Sequence, residues 1–154
     1  MGIGTAPDAP LTLFELKPER LHELWPFIQR GLIAVEKKVK PDWRPEDVYA
    51  ALRAGQASCV IVEQGSARLG FLVYYRQIRP FSGKPELFVW AAWDIGLRPD
   101  VISAVWRYIN NVAISNYGTD VITWGTSARR ARSFERKYGW KPAFVTFHIK
   151  AEPS

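Results

Sequence analysis

The chain has 154 residues, 47% of them hydrophobic and 23% charged, which suits one folded domain and excludes an intrinsically disordered chain. Its single cysteine, Cys59, excludes an internal disulfide, and its two histidines lie too far apart in sequence for a metal motif. The N-terminus lacks a signal-peptide pattern and no apolar run is long enough to cross a membrane, so we expect a cytoplasmic protein with neither a membrane partner nor a metal.

The net charge of +6 is concentrated in the second half of the chain. Residues 98–150 carry nine Lys and Arg against three Asp and Glu, whereas residues 1–97 carry 12 against 11. The positive potential of the second half would attract an anionic partner, such as a phosphorylated cofactor, a nucleic acid or an acidic protein.

The first part of the chain predicts an arm, a strand and two helices. Residues 1–10 are small, polar and proline-containing, which is typical of a flexible arm. Residues 11–16 then alternate as a strand does. Apolar residues recur at helical spacing after Pro18, and we expect Pro26 to kink or interrupt this helix. Residues 45–54 predict a second helix.

The middle of the chain predicts three strands, a long helix and a fourth strand. Residues 58–63 and 68–78 form a predicted hairpin, and residues 85–95 form the next strand. A helix with a clear apolar stripe starts at Arg98, and a short buried strand follows at residues 121–124. The strands on either side of this helix are expected to lie parallel, through a right-handed crossover.

The last part of the chain predicts a basic helix over residues 128–138, stopped by Gly139, and a strand over residues 143–150. In the first part of the chain, between the two predicted helices, residues 37–41 are rich in lysine, and we expect a solvated loop there. The element order predicts an α/β fold with a mixed, mostly antiparallel sheet, a central parallel strand pair and helices on both faces. We expect a single domain over residues 11–150.

The basic helix carries the closest match to a known family. Residues 131–142 read ARSFERKYGWKP. Together with the strand order, this segment resembles the final-helix signature of the GNAT family of N-acetyltransferases, commonly written N-x-x-A-x-x-F-Y-E-K-x-G-F-x-P. The Ala, Phe, Lys, Gly, the aromatic after the Gly and the Pro are all present. The resemblance covers about residues 11–150 and implies a GNAT-like fold, with acetyl-CoA as the acyl donor to an amine.

Three positions depart from the family's pattern. The family's tyrosine, which often protonates the leaving thiolate, falls on Glu135, and its first asparagine falls on Ala128. A solvated carboxylate is ionised at neutral pH, so Glu135 is a poor substitute acid. The family's glycine-rich loop, which presents backbone N–H groups to the pyrophosphate of coenzyme A, is replaced by residues 94–100, where Pro99 lacks an N–H and the side chains add bulk.

The resemblance nevertheless implies a site at the strand before the long helix. Glu86, at the start of that strand, lies where a general base would sit, and Glu135 stands at the position of the acid. The alternative for Glu86 is an exposed carboxylate beside Lys84. The implied cofactor-binding residues, which offer backbone groups or positive charge, are Trp90, Ala91, Ala92, Gly96, Leu97, Arg98 and Arg130.

Two functions remain open. The first is a divergent N-acyltransferase that uses acetyl-CoA to acylate an unidentified amine. The second is a catalytically inactive protein with a protein-binding or virion-assembly role, because short phage-encoded GNAT-like proteins have similarly eroded motifs; it would then lie in a bacterial host cell or a virion. Residues 127–137 are basic enough for nucleic acid, but no stacking platform or nucleic-acid motif accompanies them, so we expect no nucleic-acid partner.

Overall fold

The computed structural model describes residues 9–95 and 98–125, together with residues 132, 135–137 and 139. The chain divides into two units, Met1–Trp124 and Gly125–Ser154. The described strands and α-helices of the first unit are, in chain order, β1 (Leu11–Glu15), α1 (Leu21–Val39), α2 (Pro45–Arg53), β2 (Ser58–Gln64), β3 (Ala67–Ile78), β4 (Pro85–Trp93), α3 (Pro99–Ser115) and β5 (Ile122–Trp124).

The sheet of the first unit has the order β1-β2-β3-β4-β5. The first three pairings are antiparallel, whereas β4 and β5 are parallel, so the mixed, mostly antiparallel sheet with one parallel pair is confirmed. In the parallel ladder, Leu87 lies opposite Ile122 and Val89 lies opposite Trp124. As predicted, the long helix α3 connects these two strands.

Helices cover both faces of the sheet. On the α1 face, the fully buried Leu24, Ile28 and Leu32 of α1 pack over the sheet together with α2. On the α3 face, α3 packs through its own apolar stripe, which includes Val105 and Ile109. Successive side chains of the strands point to opposite faces of the sheet, because the side-chain period of a strand is two residues. The predicted arrangement of helices is therefore confirmed.

Helix α1 is longer and less interrupted than its sequence indicates. It runs through Pro26 without a break, because the buried stripe on its inner side outweighs the single backbone hydrogen bond that a proline removes near a helix start. The prediction of a solvated loop at residues 37–41 is wrong in part. Lys37 and Lys38 form the last turn, where positive charge suits the helix dipole, and Lys40 ends the helix with a φ of 52°.

The second unit is described at few positions. Arg132 and residues 135–137 are helical. Gly139 has a φ of 68°, and its N–H donates to the carbonyl oxygen of Glu135 at 3.0 Å, which fits a helix that stops at this glycine. The predicted strand at residues 143–150 lies outside the described residues, and the single domain over residues 11–150 stays a prediction.

Tyr74 offers a stability test of the α3 face. Its side chain is fully buried, and its hydroxyl makes no hydrogen bond of normal geometry to any of the described residues. Burial, and then the nearby Tyr108, raise the pKa of Tyr74. An unpaired buried hydroxyl costs about 1–3 kcal/mol. We therefore expect Tyr74→Phe to leave the free energy of unfolding unchanged or to raise it by about 1 kcal/mol. Urea unfolding measures the change, and a clear loss would show that the hydroxyl is bonded in solution.

Candidate functional site

A β-bulge in β4 shapes the surface next to the parallel strand pair. Val73 of β3 pairs with Ala91, but the next residue, Tyr74, pairs with Val89, so Trp90 is the extra residue. Both Trp90 and Ala91 consequently pack on the α1 face, which breaks the alternation of the strand. A bulge takes its extra residue out of the regular ladder, so the backbone groups of Trp90 are available to a ligand.

A buried carboxylate lies on the same strand. Glu86 is 6% exposed, so the exposed carboxylate considered as its alternative is wrong. Its Oε1 accepts a hydrogen bond from Nε2 of Gln77, the residue opposite on β3. Its Oε2 accepts from Nε of Arg79 at 2.9 Å and from the hydroxyl of Thr123 at 2.8 Å. Since Thr123 belongs to β5, this one side chain links three neighbouring strands.

The hydrogen bonds set the protonation state of Glu86. Burial raises the pKa of Glu86, but the bonds from Gln77, Arg79 and Thr123, with the charge of Arg79, together lower that pKa below its ordinary value. The carboxylate is therefore ionised at neutral pH. A carboxylate has about four lone-pair sites, so these three donors leave about one acceptor position, on Oε1, for a ligand or a water.

The connection after α3 holds β5 beside β4. The Thr119 hydroxyl donates to the carbonyl oxygen of Pro85 at 2.7 Å and accepts from the N–H of Val121 at 3.0 Å. The N–H of Leu87 in turn donates to the carbonyl oxygen of Val121 at 3.0 Å. These bonds fix the register of the parallel pair and hence the position of Thr123 against Glu86.

Four aromatic side chains form a continuous surface on the α1 face, which we call the aromatic wall: Trp43, Tyr75, Phe88 and Trp90. The ring centroids are 6.2 Å apart for Trp43 and Trp90, 5.7 Å for Tyr75 and Trp90, and 5.3 Å for Tyr75 and Phe88. Each is only partly buried. Burial, and then the charge of Glu86, raise the pKa of Tyr75, which places the carboxylate beside the wall.

The start of α3 is already engaged within the chain. The Arg98 guanidinium contacts Asp100 through two hydrogen bonds, of 3.1 and 2.6 Å, and donates to Oε1 of the buried Gln64 at 2.9 Å. Arg98 is the main cause that lowers the pKa of Asp100, against a smaller rise from burial, and the backbone N–H of Val101 lowers it further. The guanidinium that the resemblance assigns to the diphosphate is therefore already bonded to a carboxylate of the chain.

Removing that carboxylate is expected to open the start of α3 to anions. Asp100→Asn frees the Arg98 guanidinium and takes a negative charge from the positive end of the helix, so we expect acetyl-CoA or inorganic pyrophosphate to bind about fivefold more tightly. Isothermal titration calorimetry measures the change in Kd. Asp120→Asn, which alters the net charge equally on an exposed loop, is the control. Equal effects of both substitutions would mean that α3 does not hold the anion.

The other predicted site residues are spread between the two units. Trp90, Ala91 and Ala92 lie together at the bulge. Glu135 is an exposed helical residue of the second unit. Gly96, Leu97 and Arg130 lie outside the described residues. Among the residues that are described, no cluster of three His, Cys, Asp or Glu side chains could hold a metal ion. None of the described helices combines the length and apolar character needed to cross a membrane.

Sequence reasoning missed the contacts that surround Glu86. Gln77 and Thr123 are 9 and 37 residues away in sequence. The turn residues Pro80 and Gly83 do predict the β3–β4 hairpin, and its register alone would have placed Gln77 opposite Glu86. No signal in the sequence indicates that Trp43, in the α1–α2 connection, packs edge-to-face on Trp90.

The sheet is antiparallel except at its end, where a crossover helix joins a parallel strand pair. This arrangement defines the class of fold. This chain has the fold of the GNAT acetyltransferases. It is similar to a ribosomal-protein-alanine N-acetyltransferase from Brucella melitensis biovar Abortus 2308, with a TM-score of 0.65 and 12% identity over 93% of this chain and 100% of that one.

Two further solved structures are similar to the same extent. A probable acetyltransferase gives a TM-score of 0.66 at 14% identity, over 93% of this chain and 99% of that one. A predicted acetyltransferase with acetyl-CoA from Clostridium acetobutylicum gives 0.65 at 12% identity, over 92% and 96%. No protein-family model and no curated protein matches the chain. At these identities the likeness establishes the fold alone.

Proposed function

We propose that this protein is an acetyl-CoA-dependent N-acyltransferase whose reaction centre lies on the α1 face of β4. The observation that carries this proposal is the pairing, on one strand, of an ionised buried carboxylate at Glu86 with a bulge at Trp90. A nucleophilic amine needs a proton acceptor, and an acyl carbonyl needs a fixed hydrogen-bond donor. The two features supply these two needs within one rigid element. The solved acetyltransferases of the same fold support the assignment.

The backbone at the bulge fits the acyl end of the cofactor. Acetyl-CoA would supply the activated acetyl group as a thioester. The N–H groups near Trp90, Ala91 and Ala92 would donate to its carbonyl and align the pantetheine arm, since backbone donors are preorganised and independent of side-chain identity. The start of α3 at Arg98 would face the diphosphate, and the same role for Gly96, Leu97 and Arg130 stays a prediction of the resemblance. There Asp100 competes with the phosphate for the Arg98 guanidinium.

Glu86 would accept the proton of the amine through a chain of waters. Glu86 and Trp90 are four positions apart along the strand, about 13 Å, which is too far for direct contact with a carbonyl held at the bulge. The remaining acceptor position on Oε1 suits a bridging water. Its lowered pKa makes Glu86 a weak base, because base strength falls with pKa. The role of Glu135 in returning a proton to the leaving sulfur stays a prediction of the resemblance.

The second candidate function is protein binding without catalysis, such as a virion-assembly role. One observation favours it: the carboxylate of Asp100 occupies the guanidinium that the diphosphate would need. A second is Phe81, which is fully exposed at the tip of the β3–β4 hairpin and has a φ of 71°. Such a residue is more typical of a contact surface than of a solvated turn.

Thermal unfolding with and without acetyl-CoA, followed by an assay of amine-dependent CoA release, separates the two functions. Acetyl-CoA at 100 times its Kd should add about 2.7 kcal/mol to the stability of the folded state. Glu86→Gln should keep this shift but lower the amine-dependent release about 10²-fold, the lower end of what a general base contributes. No shift at millimolar acetyl-CoA would contradict the acyltransferase and leave the binding role.

A further inference from the structure

We propose that the acceptor is a flat amine of low basicity, such as an arylamine, which lies against the aromatic wall beside Glu86 and arrives already uncharged. This inference rests on the proposed acyltransferase function and specifies its substrate class. It is carried by the geometry of the wall and by the balance of charge around it.

The wall has the shape and chemistry for a planar apolar group. Trp43 meets Trp90 with an interplanar angle of 76°, and Tyr75 meets Trp90 at 89°, so these contacts are edge-to-face. Tyr75 and Phe88 are inclined at only 37°. A surface of rings in several orientations offers both edges and faces to an aromatic ligand, and aromatic pairs prefer such offset or T-shaped contacts. Because all four rings are partly exposed, they are accessible to a ligand.

The charges around the wall compensate one another. Glu86 is paired with Arg79 at 2.9 Å, and Arg44, which follows Trp43 in the sequence, is paired with Glu46 at 3.6 Å. An alkylammonium ion would therefore meet cations as well as anions and would gain little from charge complementarity. The binding of a neutral amine does not depend on charge complementarity, so this balance of charges does not weaken it.

The basicity of Glu86 leads to the same substrate class. An alkylamine with the basicity of lysine, pKa about 10.4, is uncharged in only about one molecule in 10³ at neutral pH. It must lose a proton before it can attack, and a carboxylate already held by three donors is a weak acceptor for that proton. An arylamine delocalises its lone pair into the ring, is uncharged at neutral pH, and releases its proton only once the new bond forms.

The transfer balances without any further reactant. The nitrogen lone pair forms the C–N bond to the acetyl carbon, the thioester C–S bond breaks, and the sulfur leaves with its electron pair. The nitrogen proton passes through water to Glu86 and is finally taken up by the sulfur. The products are the N-acetyl arylamine and the free thiol.

Two isomeric amines test the inference directly. p-Toluidine and benzylamine have the same atoms, but only benzylamine is mostly protonated at neutral pH. With acetyl-CoA at pH 7, we expect kcat/KM to be at least tenfold higher for p-toluidine and flat between pH 6 and 9. A tenfold preference for benzylamine would overturn the inference while retaining the acyltransferase. Acetylation of neither amine, with no binding of acetyl-CoA, would overturn both.

Binding to the wall is measured without catalysis, by saturation-transfer NMR of p-toluidine. Trp43→Ala, in a loop, should weaken binding at least fivefold, and Tyr75→Leu provides a second variant should the first not fold. The control is Trp25→Ala, which removes an aromatic from a separate pocket of about 240 Å³ between α1 and α2, lined also by Tyr49. Loss of binding in Trp25→Ala alone, or in none of the three, would contradict a site at the wall.

Discussion

Replacing Gly31 by alanine is expected to lower the free energy of unfolding by about 2–3 kcal/mol, the cost of overpacking a close-packed core. Gly31 lies in α1 where the helix crosses the sheet. A Cβ there would approach Cδ2 of Trp93 to 2.6 Å and would lie still closer to other ring atoms of Trp93 and Phe71. Alanine is the better helix former by about 1 kcal/mol, so the steric cost must exceed this gain.

Urea unfolding measures the effect at Gly31, and Gly125→Ala is the matched control. A Cβ at Gly125 meets no atom of the described residues within 4 Å, so we expect Gly125→Ala to change the free energy of unfolding by less than about 0.5 kcal/mol. Since Trp93 ends the bulged strand, Gly31→Ala should also weaken acetyl-CoA binding. Unchanged or increased stability would mean that α1 does not pack on Trp93 as closely as described.

Replacing Glu86 by glutamine is expected to destabilise the fold by about 2 kcal/mol at pH 7. The substitution keeps the shape but removes the charge that receives Arg79. We expect less than the 3–5 kcal/mol of a fully buried pair, because the Arg79 side chain is 40% exposed and solvent screens it.

The pH dependence of this difference gives the sharper test. The folded-state pKa of Glu86 is lowered, so its stabilisation is fully present above the unfolded pKa, about 4.3, and is lost as the pH falls through the folded value. The gap in stability between the wild type and Glu86→Gln should therefore be constant from pH 6 to 8 and should narrow below about pH 4.3. Arg79→Gln, which removes the cationic partner of Glu86, is the control for the ion pair. A gap that widens on acidification would mean that the pKa of Glu86 is raised.

Much of the fold follows from local patterns in the sequence. The alternation in β1, the turn between β2 and β3, and the apolar stripe of α3 are all local signals, and each element lies where they predict. The segment between β4 and β5 is long enough for a crossover helix, and right-handed crossovers of this kind join parallel strands. Both points favour the parallel pairing of β4 with β5. Helix α1 departs from this rule, since its packing on the sheet overrides the local effect of Pro26.

The site could be predicted only in outline. Glu86 and the backbone near Trp90 follow from the resemblance, but the bulge does not, because neither Ala91 nor Ala92 has a marked preference for either face. The engagement of Arg98 by Asp100 could have been anticipated, since a carboxylate in the first turn of a helix attracts a neighbouring cation. The aromatic wall depends on Trp43, whose loop position carries no local signal.

Acetyl-CoA titrated into ¹⁵N-labelled protein tests whether the bulge of β4 holds the thioester, because the NMR spectrum reports each backbone amide separately. We expect the amide resonances of Trp90, Ala91 and Ala92 to shift together and saturate with one Kd, and the amide of Gly65, in an exposed turn, not to shift. If acetyl-CoA leaves these three amides in place at millimolar concentration, the bulge of β4 does not hold a thioester and the acyltransferase proposal fails.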